Sequence, residues 1–124
     1  MIAGIGVDMI EVKRVKAKIV KERGFREQTF SAEEIEYCEN QQKPFLHYAA
    51  RFCVKEAFLK AAGVGFSMGF ALSDIIVATL PSGQPHLQLQ KQYINLAEEQ
   101  HWKNFHVSIS HLASIATAIV IIEK

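Results

Sequence analysis

Two carboxylates stand beside apolar runs in a way that invites a chemical reading. Asp8 closes the glycine-containing run IAGIGVD, and Glu56 is the lone acid among Arg51, Lys55 and Lys60 in RFCVKEAFLKA, residues 51–61. Two carboxylates, completed by waters and the oxygens of a phosphorylated substrate, are a common way to hold Mg²⁺, because this hard ion dehydrates reluctantly and rarely takes an all-protein cage. Lys55, Lys60 and Arg51 would then offset further phosphate charge. Each carboxylate also has a plainer reading. Asp8 suits the N-cap of a following helix, and Glu56 and Lys60 form an i,i+4 pair in the favourable order, contributing only about 0.2–0.5 kcal/mol on an exposed surface.

Other groups are weaker candidates. Ser110 and His111 resemble a nucleophile and its base, but neighbouring side chains on a strand point to opposite faces, and no G-x-S-x-G elbow is present. Serine hydrolysis is therefore set aside, leaving His111 at a strand end as a phosphate contact or a turn cap. The glycines Gly63, Gly65 and Gly69 of AGVGFSMGF follow a helix instead of joining a strand to a helix N-terminus, so a plain turn is favoured over a phosphate loop.

The elements that must position these groups follow from periodicity. IAGIGVD reads as a short buried strand whose glycines allow close approach of another backbone. Apolar positions from Met9 to Val20 define a helix, and Arg14, Lys18 and Lys21 form a basic stripe along it. Ser31 and Glu34 have capping-box spacing, with Phe30 and Ile35 placed as a hydrophobic staple. Glu33, Glu34 and Glu36 then suit the positive end of that helix and are given no catalytic task. A long helix is expected from Phe45 to Ala62, opened by Pro44 and stopped by Gly63. On its wheel Ala50, Cys53, Val54, Ala57, Phe58 and Ala61 share a buried arc, with the charges on the opposite, solvent half.

LSDIIVATL and HLQLQ flank the turn PSGQP and predict an antiparallel hairpin. Residues 90–103 read as a helix. FHVSISHLASIATAIVIIE predicts a last hairpin, turning near Leu112 to Ser114. The order is a strand, three helices, a hairpin, a helix and a hairpin. This implies a single α+β domain over residues 1–124, with a mainly antiparallel sheet packed against a long helix.

Composition sets the outer limits. The 124 residues are 49% hydrophobic and 22% charged, ordinary values for one globular domain. The N-terminus has no basic stretch ahead of its apolar run, and no apolar run approaches the roughly 18 residues needed to span a bilayer. A cytoplasmic protein without membrane contact is expected. Cys38 and Cys53 have neither redox nor zinc-ligand spacing and are expected to be buried free thiols. The net charge of +1 conceals six basic residues against one acid between Lys13 and Arg23. That stripe lacks the interleaved aromatics of a nucleic-acid surface, so an acidic protein partner fits better.

GIGVDMIEV (4–12), FSAEE (30–34), RFCVKEAFLKA (51–61), GVG (63–65), DII (74–76), SGQP (82–85) and VSISH (107–111) occur together in this order. The set resembles the small holo-acyl-carrier-protein synthases, the bacterial 4′-phosphopantetheinyl transferases, and covers nearly the whole chain. The resemblance implies that fold, and Mg²⁺-dependent transfer of 4′-phosphopantetheine from coenzyme A to a serine of apo-acyl carrier protein. Adenosine 3′,5′-bisphosphate would be released, and the reaction would serve fatty acid biosynthesis.

By position, Asp8 and Glu56 resemble the metal ligands, Lys60 the lysine near the phosphates, and His111 a histidine near the pyrophosphate. Glu56, Lys60 and His111 are thereby the candidate catalytic residues, and Arg51, Lys60, Gly65 and His111 the candidate coenzyme A contacts. Arg14, extended by Lys18 and Lys21, falls where the family's first helix meets its carrier. The resemblance also implies a homotrimer with coenzyme A at subunit boundaries. Either Glu56 or a metal-held water would remove the serine proton. The polar helix before VSISH departs from the shorter, alanine-rich segment of other members. Two rival readings remain, a non-catalytic module that docks acidic proteins and a Mg²⁺-dependent phosphohydrolase.

Overall fold

A computed structural model describes residues 1–65 and 69–124. The expected α+β architecture is present: a three-stranded antiparallel sheet of order β1-β5-β4, a separate β2-β3 hairpin, and a long helix against the sheet's inner face. The elements are β1 (Ile2–Glu11), α1 (Val12–Lys21), α2 (Phe25–Thr29), α3 (Ala32–Glu39), α4 (Pro44–Ala62), β2 (Ile75–Thr79), β3 (Pro85–Leu89), α5 (Gln92–Gln100), β4 (Asn104–His111) and β5 (Ile115–Glu123). A 3₁₀ turn, Leu72–Asp74, leads into β2.

The centre of the fold is the contact of α4 with β1. A Cβ built on Gly4 would lie 1.9 Å from the carbonyl oxygen of Ala61, and one on Gly6 would lie 1.9 Å from that of Ala57. Backbone therefore rests on backbone, which only glycine permits at such range. Ala57, Ala116 and Ala118 keep the same layer thin, while Val54, Phe58, Val120 and Ile122 fill it. Pro44 opens α4 in its first turn, and Gly63 closes it with φ 71°, the left-handed geometry glycine favours at a helix end.

Several boundaries differ from the sequence reading. β1 continues to Glu11, so Met9 and Ile10 belong to the strand and the helix begins at Val12. Pairing decides this, because β1 stays in register with β5 as far as Glu11 opposite Ile115. Asp8 is consequently a mid-strand residue and caps no helix. A five-residue helix, α2, was not anticipated; it starts at Gly24, whose φ of 83° turns the chain after α1. The capping box of Ser31 and Glu34 is present in both directions.

Helix α5 is shorter than expected and is seated by aromatic contacts. Phe58 meets Tyr93 and Trp102 edge-on at 5.8 and 6.1 Å, and Phe70 meets Tyr93 at 5.1 Å. Such pairs prefer tilted geometry and add to the burial of their area. Cys38 and Cys53 are buried free thiols, and burial pushes each up to about 12. Among the described residues, no helix is long and apolar enough to cross a membrane.

Candidate active site

The glycine-alanine contact carries Asp8 to the flank of α4. Strand β1 alternates, so Gly4, Gly6, Asp8 and Ile10 all face inward. The backbone at Asp8 is pinned from β5, where the Thr117 hydroxyl donates to its carbonyl at 2.8 Å. Its side chain is 17% exposed and accepts a 3.0 Å hydrogen bond from Lys60 Nζ, which also donates to the Val7 carbonyl at 3.1 Å. Lys60 therefore pairs with Asp8, and the helix-local Glu56–Lys60 pair of the sequence reading does not form.

Glu56 is half-buried on the same side of α4. Burial is the larger reason its carboxyl is held above the usual carboxylate range, and the charge of Asp8 is the next; Lys60 and Lys18 oppose both. The two carboxylates thus repel each other, and Asp8 already draws an ammonium. That donor set fits a hard divalent cation bound through two carboxylates, with waters or substrate oxygens completing its shell.

The other two cations of the motif are not where the helical wheel put them. Lys55 is fully buried, and that burial holds its ammonium below the ordinary lysine pKa. Its Nζ donates to Glu34 Oε1 at 2.8 Å, to the Leu72 carbonyl at 3.0 Å, and to the Ile75 carbonyl. It is unavailable to a phosphate, which corrects the role assigned to it above. Arg51 is also buried: its guanidinium lies 4.1 Å from the centre of the Tyr37 ring and donates through Nη2 to the Thr79 hydroxyl at 2.9 Å. The wheel gave these charges to solvent because α3 and β2, which cover that face, are distant in sequence.

Arg51 and His111 line a cleft together with Tyr37, His47, Thr79 and Pro85. His47 is held below its ordinary pKa by partial burial, then by the nearby charges of Arg51 and His111. The sequence reading missed His47, Tyr37 and Thr79. His47 had a usable signal, since it precedes Arg51 by one helical turn. Tyr37 and Thr79 had none, because they arrive through tertiary packing.

The structure therefore gathers the predicted residues into two groups. Asp8, Glu56 and Lys60 meet where β1 crosses α4, while Arg51 and His111 belong to the cleft. Arg51 and Glu56 are five residues apart on one helix, so they point about 140° apart. Gly65 is exposed two residues beyond the cap of α4 and joins neither group, with open space where a Cβ would stand. The rest of the glycine turn, residues 66–68, lies outside the described residues.

On α1, Arg14, Lys18 and Lys21 are all exposed. Lys18 is the link to the carboxylates, since its charge reaches Glu56; it also approaches Glu22 at 3.8 Å and the face of Phe25. Lys21 borders a shallow groove with Lys13, Lys16 and Val20, and Val20 is 67% exposed.

The chain has counterparts among known proteins over nearly its whole length. The family described as the 4′-phosphopantetheinyl transferase superfamily matches residues 4–120. A holo-[acyl-carrier-protein] synthase from Syntrophus aciditrophicus is 41% identical over 124 residues, covering 99% of this chain and 97% of that protein. The crystal structure of the Neisseria meningitidis holo-[acyl-carrier-protein] synthase superposes with a TM-score of 0.90 at 29% identity, covering all of both chains. The Helicobacter pylori synthase in complex with coenzyme A gives 0.82 at 30% identity, over 96% of this chain and 99% of that one. The chain belongs to the 4′-phosphopantetheinyl transferase superfamily, and within it to the holo-acyl-carrier-protein synthases.

Proposed function

We propose that this chain forms one domain over residues 1–124 that transfers 4′-phosphopantetheine from coenzyme A to a serine of an apo-acyl carrier protein. The reaction would support fatty acid biosynthesis in the cytoplasm. The observation that carries the reading is the meeting of Asp8, Glu56 and Lys60 across the β1–α4 contact. The coenzyme A complex of the Helicobacter pylori relative supports coenzyme A as donor.

Asp8 and Glu56 would hold Mg²⁺, which when bound neutralises the pyrophosphate and the charge that grows on its leaving oxygen. Lys60 is half-exposed and tethered only at its tip, so it can turn from Asp8 to a phosphate oxygen. The carrier's serine hydroxyl attacks the pantetheine-side phosphorus, the bond to adenosine 3′,5′-bisphosphate breaks, and the serine proton passes to Glu56 or to a water beside it. Arg51, His47 and His111 would receive the nucleotide's phosphates in the cleft.

The reading includes a homotrimer. The outer face of the sheet carries Ile5, Val7 and Met9 at 58%, 58% and 68% exposure, with Ile119 at 37% beside Val7. A contiguous apolar sheet face of this kind favours covering by another subunit. A subunit boundary would also let the cleft and the carboxylates, which face apart on α4, serve one coenzyme A. Arg14, Lys18 and Lys21 supply the docking charge for an acidic carrier, on the side from which Lys18 reaches Glu56.

Coenzyme A consumption measured with Mg²⁺, with and without apo carrier, tests the reading against its rivals. Consumption that depends on both is expected. Consumption without carrier would mean a phosphohydrolase, and carrier binding without consumption a docking module.

A further inference from the structure

One turn from Arg51 on α4 lies a buried ion pair that the mechanism does not use. Lys55 and Glu34 are both closed to solvent and bonded at 2.8 Å. Every donor of the Lys55 ammonium is satisfied, by Glu34 on α3 and by the carbonyls of Leu72 and Ile75 before and within β2. Glu34 in turn accepts from the Ser31 amide at 2.9 Å through Oε1 and from the Val77 amide at 3.0 Å through Oε2. One ion pair thus fastens α3, α4 and β2 to each other with directional bonds.

Those three elements also form part of the cleft wall, and each fastening point stands one structural repeat from a cleft residue. Glu34 is one turn before Tyr37 on α3, Lys55 is one turn after Arg51 on α4, and Val77 is two residues before Thr79 on the same side of β2. Tyr37 and Thr79 are the two groups that grip the Arg51 guanidinium. Its Nε is buried and has no acceptor among the described residues, so the guanidinium keeps a donor unused.

Burial of a charged pair is not needed for stability as such. Apolar residues of similar volume often do as well or better, because two ions must be stripped of water before they can attract each other. Here the polar pair offers direction, which an apolar pair lacks.

We propose that Lys55 and Glu34 are positioning residues for the nucleotide end of coenzyme A, fixing Tyr37, Arg51 and Thr79 in the geometry that receives its phosphates. The inference rests on the assignment of the cleft made above. Neither residue touches substrate; both act through Arg51.

The experiment compares wild-type protein with Lys55→Met/Glu34→Gln. The glutamine keeps one acceptor oxygen, enough for the Ser31 amide and so for the capping box, and loses the bond from the Val77 amide together with the ion pair. Adenosine 3′,5′-bisphosphate binding is measured by calorimetry, alongside steady-state kinetics and thermal unfolding. Nucleotide affinity is expected to fall by about tenfold or more and KM for coenzyme A to rise with it, while kcat stays within about threefold and unfolding remains cooperative. Glu34→Gln alone is the second variant should the double change prevent folding, and the same split is expected of it. A folded variant that binds the nucleotide as tightly as wild type, or that loses kcat with KM unchanged, overturns the inference. Wild-type protein that binds no nucleotide overturns the assignment of the cleft, and this inference with it.

Discussion

Glu56 is asked to carry charge in a place that resists it. Burial and Asp8 raise its carboxyl above the ordinary range, so the folded protein binds that proton more tightly than the unfolded chain. Any stability from this preference is complete below the unfolded pKa and is lost as pH rises through the folded one. Glu56→Gln should therefore unfold at a higher temperature than wild type at neutral pH, with the gap closing as pH falls towards the ordinary glutamate value of 4.5. The same variant should lose about a hundredfold or more in turnover. A lower neutral-pH midpoint for a folded Glu56→Gln would contradict the environment assigned to it. Lys18→Gln removes an opposing charge, so Glu56 should titrate still higher in metal-free protein, as carboxyl NMR would read. That Asp8, Glu56 and Lys60 form a candidate set could be read from residue type and neighbours, and the fold brings the three together. The burial of Lys55 could not be read, because a helical wheel records which residues share a face and is silent on what covers it.

At the scale of elements, the site depends on how closely β1 can approach α4. Gly6→Ala would put a methyl group into the Ala57 carbonyl. Backbone cannot yield as a flexible side chain does, so the cost should be about 3 kcal/mol or more. Denaturant unfolding should show this loss, and turnover should fall with it as Asp8 moves from Glu56. Equal stability of Gly6→Ala would refute the contact. The glycine-alanine match could be anticipated from composition, since small residues on two elements suggest close packing. The end of β1 could not: local periodicity extends the first helix back to Met9, and only pairing with β5 holds residues 9–11 in the strand. Helix α2 was hidden for a similar reason, being too short to display a period.

Over the whole molecule, two surfaces remain to be covered. Val7→Lys would place a charge in the middle of the exposed apolar sheet face. Sedimentation should give a trimer for wild type and a monomer for this variant, and turnover should fall with the trimer if the cleft and carboxylates of neighbouring subunits share one coenzyme A. A monomeric wild type would remove this part of the account. On α1, Arg14→Glu should raise KM for the carrier by about three- to tenfold while leaving kcat nearly unchanged, and added salt should shrink the difference. The basic stripe was legible by spacing alone. The separation of the cleft from the carboxylates was not, since it follows from which flank of α4 each neighbour occupies.

The most direct test of the central claim is the intact mass of an apo-acyl carrier protein after incubation with this protein, coenzyme A and Mg²⁺. The account predicts a gain equal to one 4′-phosphopantetheine, confined to carriers that retain the acceptor serine and absent with Asp8→Asn. An unchanged carrier mass across several acidic carriers, under conditions where the protein is folded and binds coenzyme A, would contradict it.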